Sequence, residues 1–139
     1  MLKICVIMGG VMPVPAVCGG AIETLVTSIV KKYSRADGLD LTVCSVFHPE
    51  AVKVAKQYPE VRFFWTHTRS IKYLLMHAVF LSVRMITGKS IRQLQRHYNE
   101  IAQLFKKEHF DLIIAEGGDT QAIADIAEGY RREQFVNHI

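Results

Sequence analysis

The sequence predicts an α/β fold in which helices cover both faces of a parallel sheet of about five or six strands. The first observation is a set of short apolar runs such as Leu2–Met8. These runs are rich in Ile and Val and lack alternation, which is typical of strands buried on both faces. The second observation is that helical segments separate the runs, and strands that alternate with helices form parallel sheets with right-handed crossovers.

The chain opens with strand Leu2–Met8, a loop rich in glycine and proline over residues 9–20, and an amphipathic helix over residues 21–33. The apolar face of this helix carries Ile22, Leu25, Val26, Ile29, Val30 and Tyr33. Further strands are expected at 41–47, 61–66, 111–116 and 135–139, and helices at 49–58, 69–87, 90–107 and about 120–132. The predicted architecture is therefore a Rossmann-like three-layer sandwich.

Two local signals mark the boundary between the predicted helices 69–87 and 90–107. Gly88 breaks the helical pattern, and Ser90 with Gln93 three residues later forms a capping box for the segment that follows. The buried stripe of that segment is expected to be Ile91, Leu94, Tyr98, Ile101 and Phe105.

Length and composition indicate one domain with a sizeable core, since the chain has 139 residues of which 50% are hydrophobic. The three cysteines, Cys5, Cys18 and Cys44, include no CxxC pair, which favours a reducing compartment and no structural metal. The N-terminal apolar run breaks at Gly9 and does not form a secretory signal. We therefore expect a cytoplasmic protein.

Charge is distributed unevenly along the chain. Residues 69–107 carry eight Lys and Arg against one acid, whereas residues 108–139 carry two against seven. Within the basic block, residues 71–87 are apolar but contain Lys72, His77 and Arg84, which makes a poor membrane span. Two interpretations stay open: a core helix with basic edges, or an interfacial surface drawn to anionic lipid. No aromatic and basic interleaving of a nucleic-acid module is present, so no nucleic-acid partner is expected.

The glycine-rich loop is the strongest functional signal. A helix that begins after Gly19–Gly20 points free backbone N–H groups at the ligand-binding edge of the sheet, where an anion such as phosphate is the natural guest. The alternative is that the glycines only shape a long connection. The spacing is not a GxGxxG fingerprint, and the second strand ends in Phe47–His48 rather than an acidic residue. Both departures argue against a nicotinamide enzyme.

The order Lys3–Ile4, Pro13, Pro15, Gly19–Gly20 and Glu23 forms a K-I start, a proline-containing loop and then GG-x-x-E. This pattern resembles the N-terminal half of retaining glycosyltransferases of the GT-B class, the large group that builds lipopolysaccharide, capsule and other polysaccharides. The chain departs from the family pattern at positions 38–40, where a G-H pair is usual. The resemblance implies that residues 1–139 are one acceptor-side domain, truncated from a larger two-domain chain.

The resemblance implies that the full enzyme transfers a sugar from a nucleotide-sugar donor to a glycan or lipid-linked acceptor in cell-surface polysaccharide biosynthesis. The isolated domain is expected to be inactive, because the C-terminal donor-binding domain is missing. Gly19 and Gly20 are expected to close on the donor diphosphate, whose charge backbone N–H groups stabilise without a metal or cofactor. The sequence has no Asp-x-Asp pair, the usual sign of a metal-bound nucleotide sugar.

Five further positions are candidate site residues. The family carries a cleft-facing histidine near His138, and the alternative is that this histidine lies beyond Ile139. Glu116 lies at the carboxyl end of a predicted strand and is followed by Gly117 and Gly118, a position from which it can bind acceptor groups. The alternative is that its carboxylate only interacts with backbone amides of the turn. Glu23 is expected to interact with the helix dipole, with a direct ligand role as the alternative.

A second function hypothesis is a non-catalytic Rossmann-like module that docks on a membrane surface or a partner through basic helices in 69–107. A third is an unrelated phosphate-ligand enzyme, for which the sequence offers no set of nucleophile, base and orienting residue. Under the first two hypotheses, peripheral contact with the inner face of an anionic membrane is an expected interaction.

Overall fold

The computed structural model of the chain describes residues 1–33, 38–68, 71–89 and 95–138. The strands are β1 (Leu2–Met8), β2 (Leu39–Val46), β3 (Arg62–Thr66), β4 (Leu112–Glu116) and β5 (Phe135–His138). The helices are α1 (Ala21–Lys32), α2 (Pro49–Ala55), α3 (Ile71–Thr87), α4 (Arg96–Lys107) and α5 (Thr120–Ile126). A 3₁₀ turn at Arg132–Gln134 leads into β5.

The five strands form one parallel sheet in the order β3-β2-β1-β4-β5, which confirms the predicted Rossmann-like α/β architecture. β1 is central, with Ile7 opposite Cys44 of β2 on one side and Ala115 of β4 on the other. The chain builds outward from β1 to β2 and β3, and then crosses over to place β4 and β5 on the other side. The strand order therefore reverses between β1 and β4, which is the switch point where such sheets bind ligands.

Two apolar clusters lie on opposite faces of the sheet and make the three layers. One cluster joins Val26 and Val30 of α1 to Val6 and Val43 of the sheet. The other joins Ile101 of α4 and Ile123 of α5 to strand residues that include Cys5, Ile7, Ile113 and Ala115. The alternation of Val6 and Ile7 between the two clusters is the period-two geometry of a strand buried on both faces.

The apolar face of α1 is only partly buried, which differs from the expectation. Val26 and Val30 are buried, but Ile22, Leu25 and Ile29 are 40%, 56% and 51% exposed. Ile22 lies 3.6 Å from the Cβ position of Gly117, and Ile29 lines a small cavity with residues of β4. These three side chains therefore leave part of the apolar face of α1 exposed.

α5 ends earlier than the sequence predicts, whereas α3 ends where it predicts. The helix expected to reach about residue 132 ends at Ile126, because Gly129 has a φ of 95° and Tyr130 turns back to bond the Ala127 carbonyl. α3 ends at Thr87 and Gly88 has a φ of 67°, which confirms the predicted break. The expected capping box at Ser90 and Gln93, with Ile91 and Leu94, lies outside the described residues.

Of the two interpretations left open for residues 71–87, the core helix does not agree with the exposure of α3. Among the described side chains of α3, Phe80 is buried while most of the large apolar ones are exposed. No helix among the described residues is long and apolar enough to cross a membrane.

Candidate functional site

A cleft of about 510 Å³ lies at the carboxyl ends of β1 and β4, beside the point where the strand order reverses. Its walls come from the loop after β1 (Gly9, Gly10 and Val11), the segment after β4 (residues 118–121), α3, and the start of α4. This volume is in the range of sites that enclose a small organic ligand. The position agrees with the general rule for ligand sites in parallel sheets.

His97, in the first turn of α4, is buried against the base of this cleft. Its Nε2 lies 2.8 Å from the carbonyl oxygen of Met8, and its Nδ1 lies 2.6 Å from Oγ1 of Thr66. Since a carbonyl only accepts, Nε2 carries the proton and Nδ1 accepts from the threonine hydroxyl. Burial lowers the pKa of His97, so the ring is neutral and acts as a structural bridge between α4 and two strand ends.

The ring of His97 restricts position 10, in the loop after β1, to glycine. A Cβ there would lie 2.6 Å from Cδ2 of His97, and the residue has a φ of +80°. Both the backbone conformation and the close ring therefore require glycine. The glycine allows the loop after β1 to pass directly over the neutral imidazole.

Tyr98 connects the two glycine loops on either side of the cleft, which are the loop after β1 with Gly9 and Gly10 and the loop after β4 with Gly117 and Gly118. Its hydroxyl accepts the N–H of Asp119 at 2.8 Å and donates to the carbonyl of Gly9 at 3.4 Å. The same hydroxyl occupies the space in which a Cβ of Gly118 would stand. Burial of the phenol raises the pKa of Tyr98, so it stays a neutral donor and acceptor. One aromatic side chain thus sets the spacing between the loops.

Asp119 presents an oriented carboxylate in the cleft wall. Its Oδ1 accepts the N–H groups of Gln121 and Ala122, both at 3.0 Å, and caps α5. Its Oδ2 accepts from the side-chain amide of Gln95 at 2.9 Å. These bonds hold the carboxylate in one orientation beside the Gln95 and Gln121 amides.

The opposite wall of the cleft combines cationic and apolar groups. Phe80, Leu81, His77 and Arg84 contribute from α3, and Arg96 contributes from α4. The guanidinium of Arg96 is held by Glu100 at 2.7 Å. Hydrogen-bonding amides and a carboxylate that face an arginine and apolar surface suit a polar ligand that carries hydroxyl groups.

The long loop after β1 is anchored at its centre. Val14 is fully buried and its N–H donates to Oγ of Ser45 at 2.7 Å. The N–H of Ala16 donates to Oγ1 of Thr27 at 2.9 Å, which ties the loop to α1. These contacts hold the chain rigidly between the cleft and the start of α1.

The predicted phosphate loop lies outside the cleft lining. Gly19 is exposed at a φ of +85°, with no atom within 4 Å of its Cβ position. Gly20 is the N-cap of α1 at a φ of +95°, and the Glu23 carboxylate occupies the place where its Cβ would be. The positive φ favours glycine at position 20, and the folded-back Glu23 places a carboxylate at the helix start.

The structure divides the predicted acceptor residues between two places. Gly118 lines the cleft, whereas Gly117 faces Ile22 at the start of α1. Glu116 is buried and lines an apolar cavity of about 130 Å³ beneath α1, so the structure does not bring it into the larger cleft. Position 138 pairs with Glu116 in the β4–β5 register, and the side chain of His138 lies outside the described part of the chain.

Several cleft residues were not anticipated from the sequence. Tyr98 was expected only as a core residue, and no sequence pattern indicated His97 or Asp119 as site residues. No spacing motif marks these residues, because the tertiary partners that hold them lie between 21 and 89 positions away. A local signal existed only for Asp119, which follows the Gly117–Gly118 pair.

The described residues contain no group of three or more His, Cys, Asp or Glu side chains placed to hold a metal. Cys5 and Cys44 lie side by side on β1 and β2, with 3.5 Å between their sulfur atoms, and both are free thiols. Burial raises the pKa of Cys5, which keeps it protonated. These two cysteines belong to the core, and Cys18 is exposed in the loop.

Comparison with known proteins adds no family to this description. No protein-family model, no curated protein and no solved structure matches the chain. The fold and the cleft geometry are therefore the basis for assigning a function.

Proposed function

We propose that this chain is the acceptor-side, Rossmann-like domain of a GT-B glycosyltransferase. In this proposal, a second, donor-binding domain completes the enzyme, which transfers a sugar from a nucleotide donor to a glycan or lipid-linked acceptor. The observation that carries the proposal is the cleft of about 510 Å³ at the switch point, between two glycine loops. The GG-x-x-E start of α1 is the sequence feature that supports it.

The chemistry of the cleft wall suits a glycan. Sugar hydroxyls both donate and accept hydrogen bonds, and the carboxylate of Asp119 and the amides of Gln95 and Gln121 offer both functions. The apolar surface of Phe80 and Leu81 suits the C–H face of a sugar ring. Asp119 is already oriented by three hydrogen bonds, so little conformational entropy is lost when a ligand binds.

The start of α1 suits a different part of the reaction. Gly19 is exposed. Gly20 is the N-cap of α1 and has no side chain that could accept a hydrogen bond from the N–H groups of the first turn. Backbone N–H groups at such a helix start favour a leaving diphosphate. Glu23 lies on the same spot, so donor binding requires its carboxylate to swing away or to hydrogen-bond a protonated or hydroxyl group of the donor. In this proposal the donor binds weakly here until the second domain closes.

A test is to titrate the ¹⁵N-labelled chain with a panel of oligosaccharides and, separately, with UDP- and GDP-sugars. We expect at least one glycan to shift the backbone amides of Gly10, Gly118 and Gln121 with saturable behaviour. Nucleotide sugars should shift Gly19 and Gly20 only weakly. The variant Gln121→Ala should weaken glycan binding several-fold, because it removes an amide in the cleft wall.

Gln103→Ala is the matched control, since Gln103 is exposed on α4 and does not line the cleft. It should leave glycan binding unchanged. Tight binding of a nucleotide sugar in the large cleft of this chain alone would contradict the proposed division of labour. A panel in which no glycan shifts the cleft amides would contradict the acceptor assignment.

A further inference from the structure

α3 turns most of its large apolar side chains to the surface, whereas a surface helix usually turns them to the core. Phe80 is its one fully buried described side chain, and His77 and Arg84 line the cleft on the same side. With 3.6 residues per turn, the positions on the side away from Phe80 are almost all apolar. We call this side the α3 outer face; its large residues are Leu74, Leu75, Val79, Met85 and Ile86.

The α3 outer face is exposed to a degree that an ordinary surface helix avoids. Met85 and Ile86 are 88% and 84% exposed, and Leu74 and Leu75 are 66% and 64% exposed. A helix on a globular surface normally turns its apolar stripe to the core and its polar side to water. Contiguous exposed apolar surface of this kind marks a site of interaction with a protein or a membrane.

We propose that the α3 outer face inserts into the interface of an anionic lipid bilayer. Charge favours this occupant over a second copy of the chain. The block 71–89, which is α3 and the two residues after it, contains three basic residues and no acidic one. Two copies that met through α3 would bring two such blocks together, whereas acidic headgroups neutralise them.

The helix lies along the membrane in this proposal rather than across it. α3 has 17 residues, which span about 25 Å, and a transmembrane helix needs about 20 apolar residues. No candidate span is present among the described residues. An apolar face beside basic residues is the pattern of a helix that lies in the headgroup boundary. Because His77 and Arg84 of the same helix line the cleft, docking would hold the rim of the cleft at the bilayer surface.

The test is co-flotation of the full 139-residue chain with phosphatidylcholine vesicles, with and without phosphatidylglycerol. We expect binding to the phosphatidylglycerol vesicles, weakened by added salt. Ile86→Glu should reduce binding by about ten- to hundredfold, since it removes one large apolar side chain from the acyl region. Lys89→Glu should reduce binding by about tenfold through the reversal of one surface charge.

Two control variants have the same chemistry at other surfaces. Leu25→Glu changes an exposed apolar residue on α1, and Lys56→Glu reverses an exposed lysine after α2. Neither should change vesicle binding by more than a small factor. Circular dichroism should show that all four variants keep the wild-type helix content, because each changes an exposed side chain.

The proposal is overturned by any of three results. The first is failure of the folded wild-type chain to float with phosphatidylglycerol vesicles. The second is binding that Ile86→Glu reduces no more than Leu25→Glu does. The third is a dimer in sedimentation that Ile86→Glu dissociates, since this would assign the α3 outer face to a second copy.

Discussion

Gly10→Ala is the substitution that tests most directly how the cleft is built. The new methyl group would lie 2.6 Å from Cδ2 and 2.8 Å from Cγ of His97. The ring cannot move aside freely, because its two nitrogens are hydrogen-bonded to Met8 and Thr66 in a buried site. Overpacking of this kind costs about 1–3 kcal/mol. A left-handed backbone at alanine costs roughly 1–2 kcal/mol more.

Gly19→Ala is the matched control for this substitution. Gly19 has a φ of +85°, close to the +80° of Gly10, but no atom lies within 4 Å of its Cβ position. It should therefore show only the backbone cost, about 1–2 kcal/mol. The gain from restricting the unfolded chain is the same in both variants and cancels in the comparison.

The assay is urea unfolding of the two variants and the wild type, followed by circular dichroism. We expect Gly10→Ala to lower the free energy of unfolding by about 2–5 kcal/mol, at least about 1 kcal/mol more than Gly19→Ala does. The amide signals of the cleft loops should shift in Gly10→Ala. Equal destabilisation by the two variants would refute the packing of His97 beneath the loop.

Three further predictions concern the same network. Tyr98→Phe removes the hydroxyl that accepts the Asp119 N–H at 2.8 Å, so unfolding should become easier by about 1–2 kcal/mol and the Asp119 amide should exchange faster; unchanged exchange would contradict the role of the hydroxyl. His97 has its pKa lowered by burial, so the unfolded state binds more protons below the ordinary value of 6.5 and wild-type stability should fall as pH drops through that value. In His97→Gln this part of the pH dependence should vanish in urea titrations, and an unchanged slope would assign it to other groups. Ser45→Ala leaves the buried N–H of Val14 without its acceptor at 2.7 Å, which should cost about 1–3 kcal/mol and raise hydrogen exchange at that amide; a neutral effect on both would show that the loop is not anchored there.

The proposed enzymatic role and the proposed membrane contact can be separated by variants. Gln121→Ala acts on a cleft residue, while Ile86→Glu acts on a side chain that points away from the cleft. If glycans do not bind but vesicles do, the result favours the alternative of a non-catalytic docking module. If glycans bind and vesicles do not, the cleft assignment stands without the membrane.

The order of strands and helices was predictable because its signals are local. A run of apolar residues without alternation, such as Ile4–Met8 of β1, indicates a strand buried on both faces wherever it lies in the chain. Gly88 marked the end of α3 for a similar reason, since a positive φ suits glycine alone. The end of α5 was predicted too far along the chain, at about residue 132, although Gly129, with its φ of 95°, lies before that residue. The turn there also depends on Tyr130, which packs against Phe105 and His109.

The polarity of α3 was only half predictable. Its composition showed an apolar segment with a few basic residues, which fits a core helix and an interfacial helix equally well. The choice depends on whether another element covers the α3 outer face. Only the tertiary structure shows that Phe80 is buried while Met85 and Ile86 are exposed.

The sequence alone therefore determined the α/β class, most element positions, the glycine loops and the uneven charge. The tertiary structure decided that the loop after β1 meets His97 and Tyr98 across 89 residues, and that Gly118 joins them while Glu116 faces the other side of the sheet. The physical reason is that patterns of hydrophobicity and backbone preference are written within a few residues. Side chains that share a cleft are brought together by strand order, which depends on packing of the whole chain.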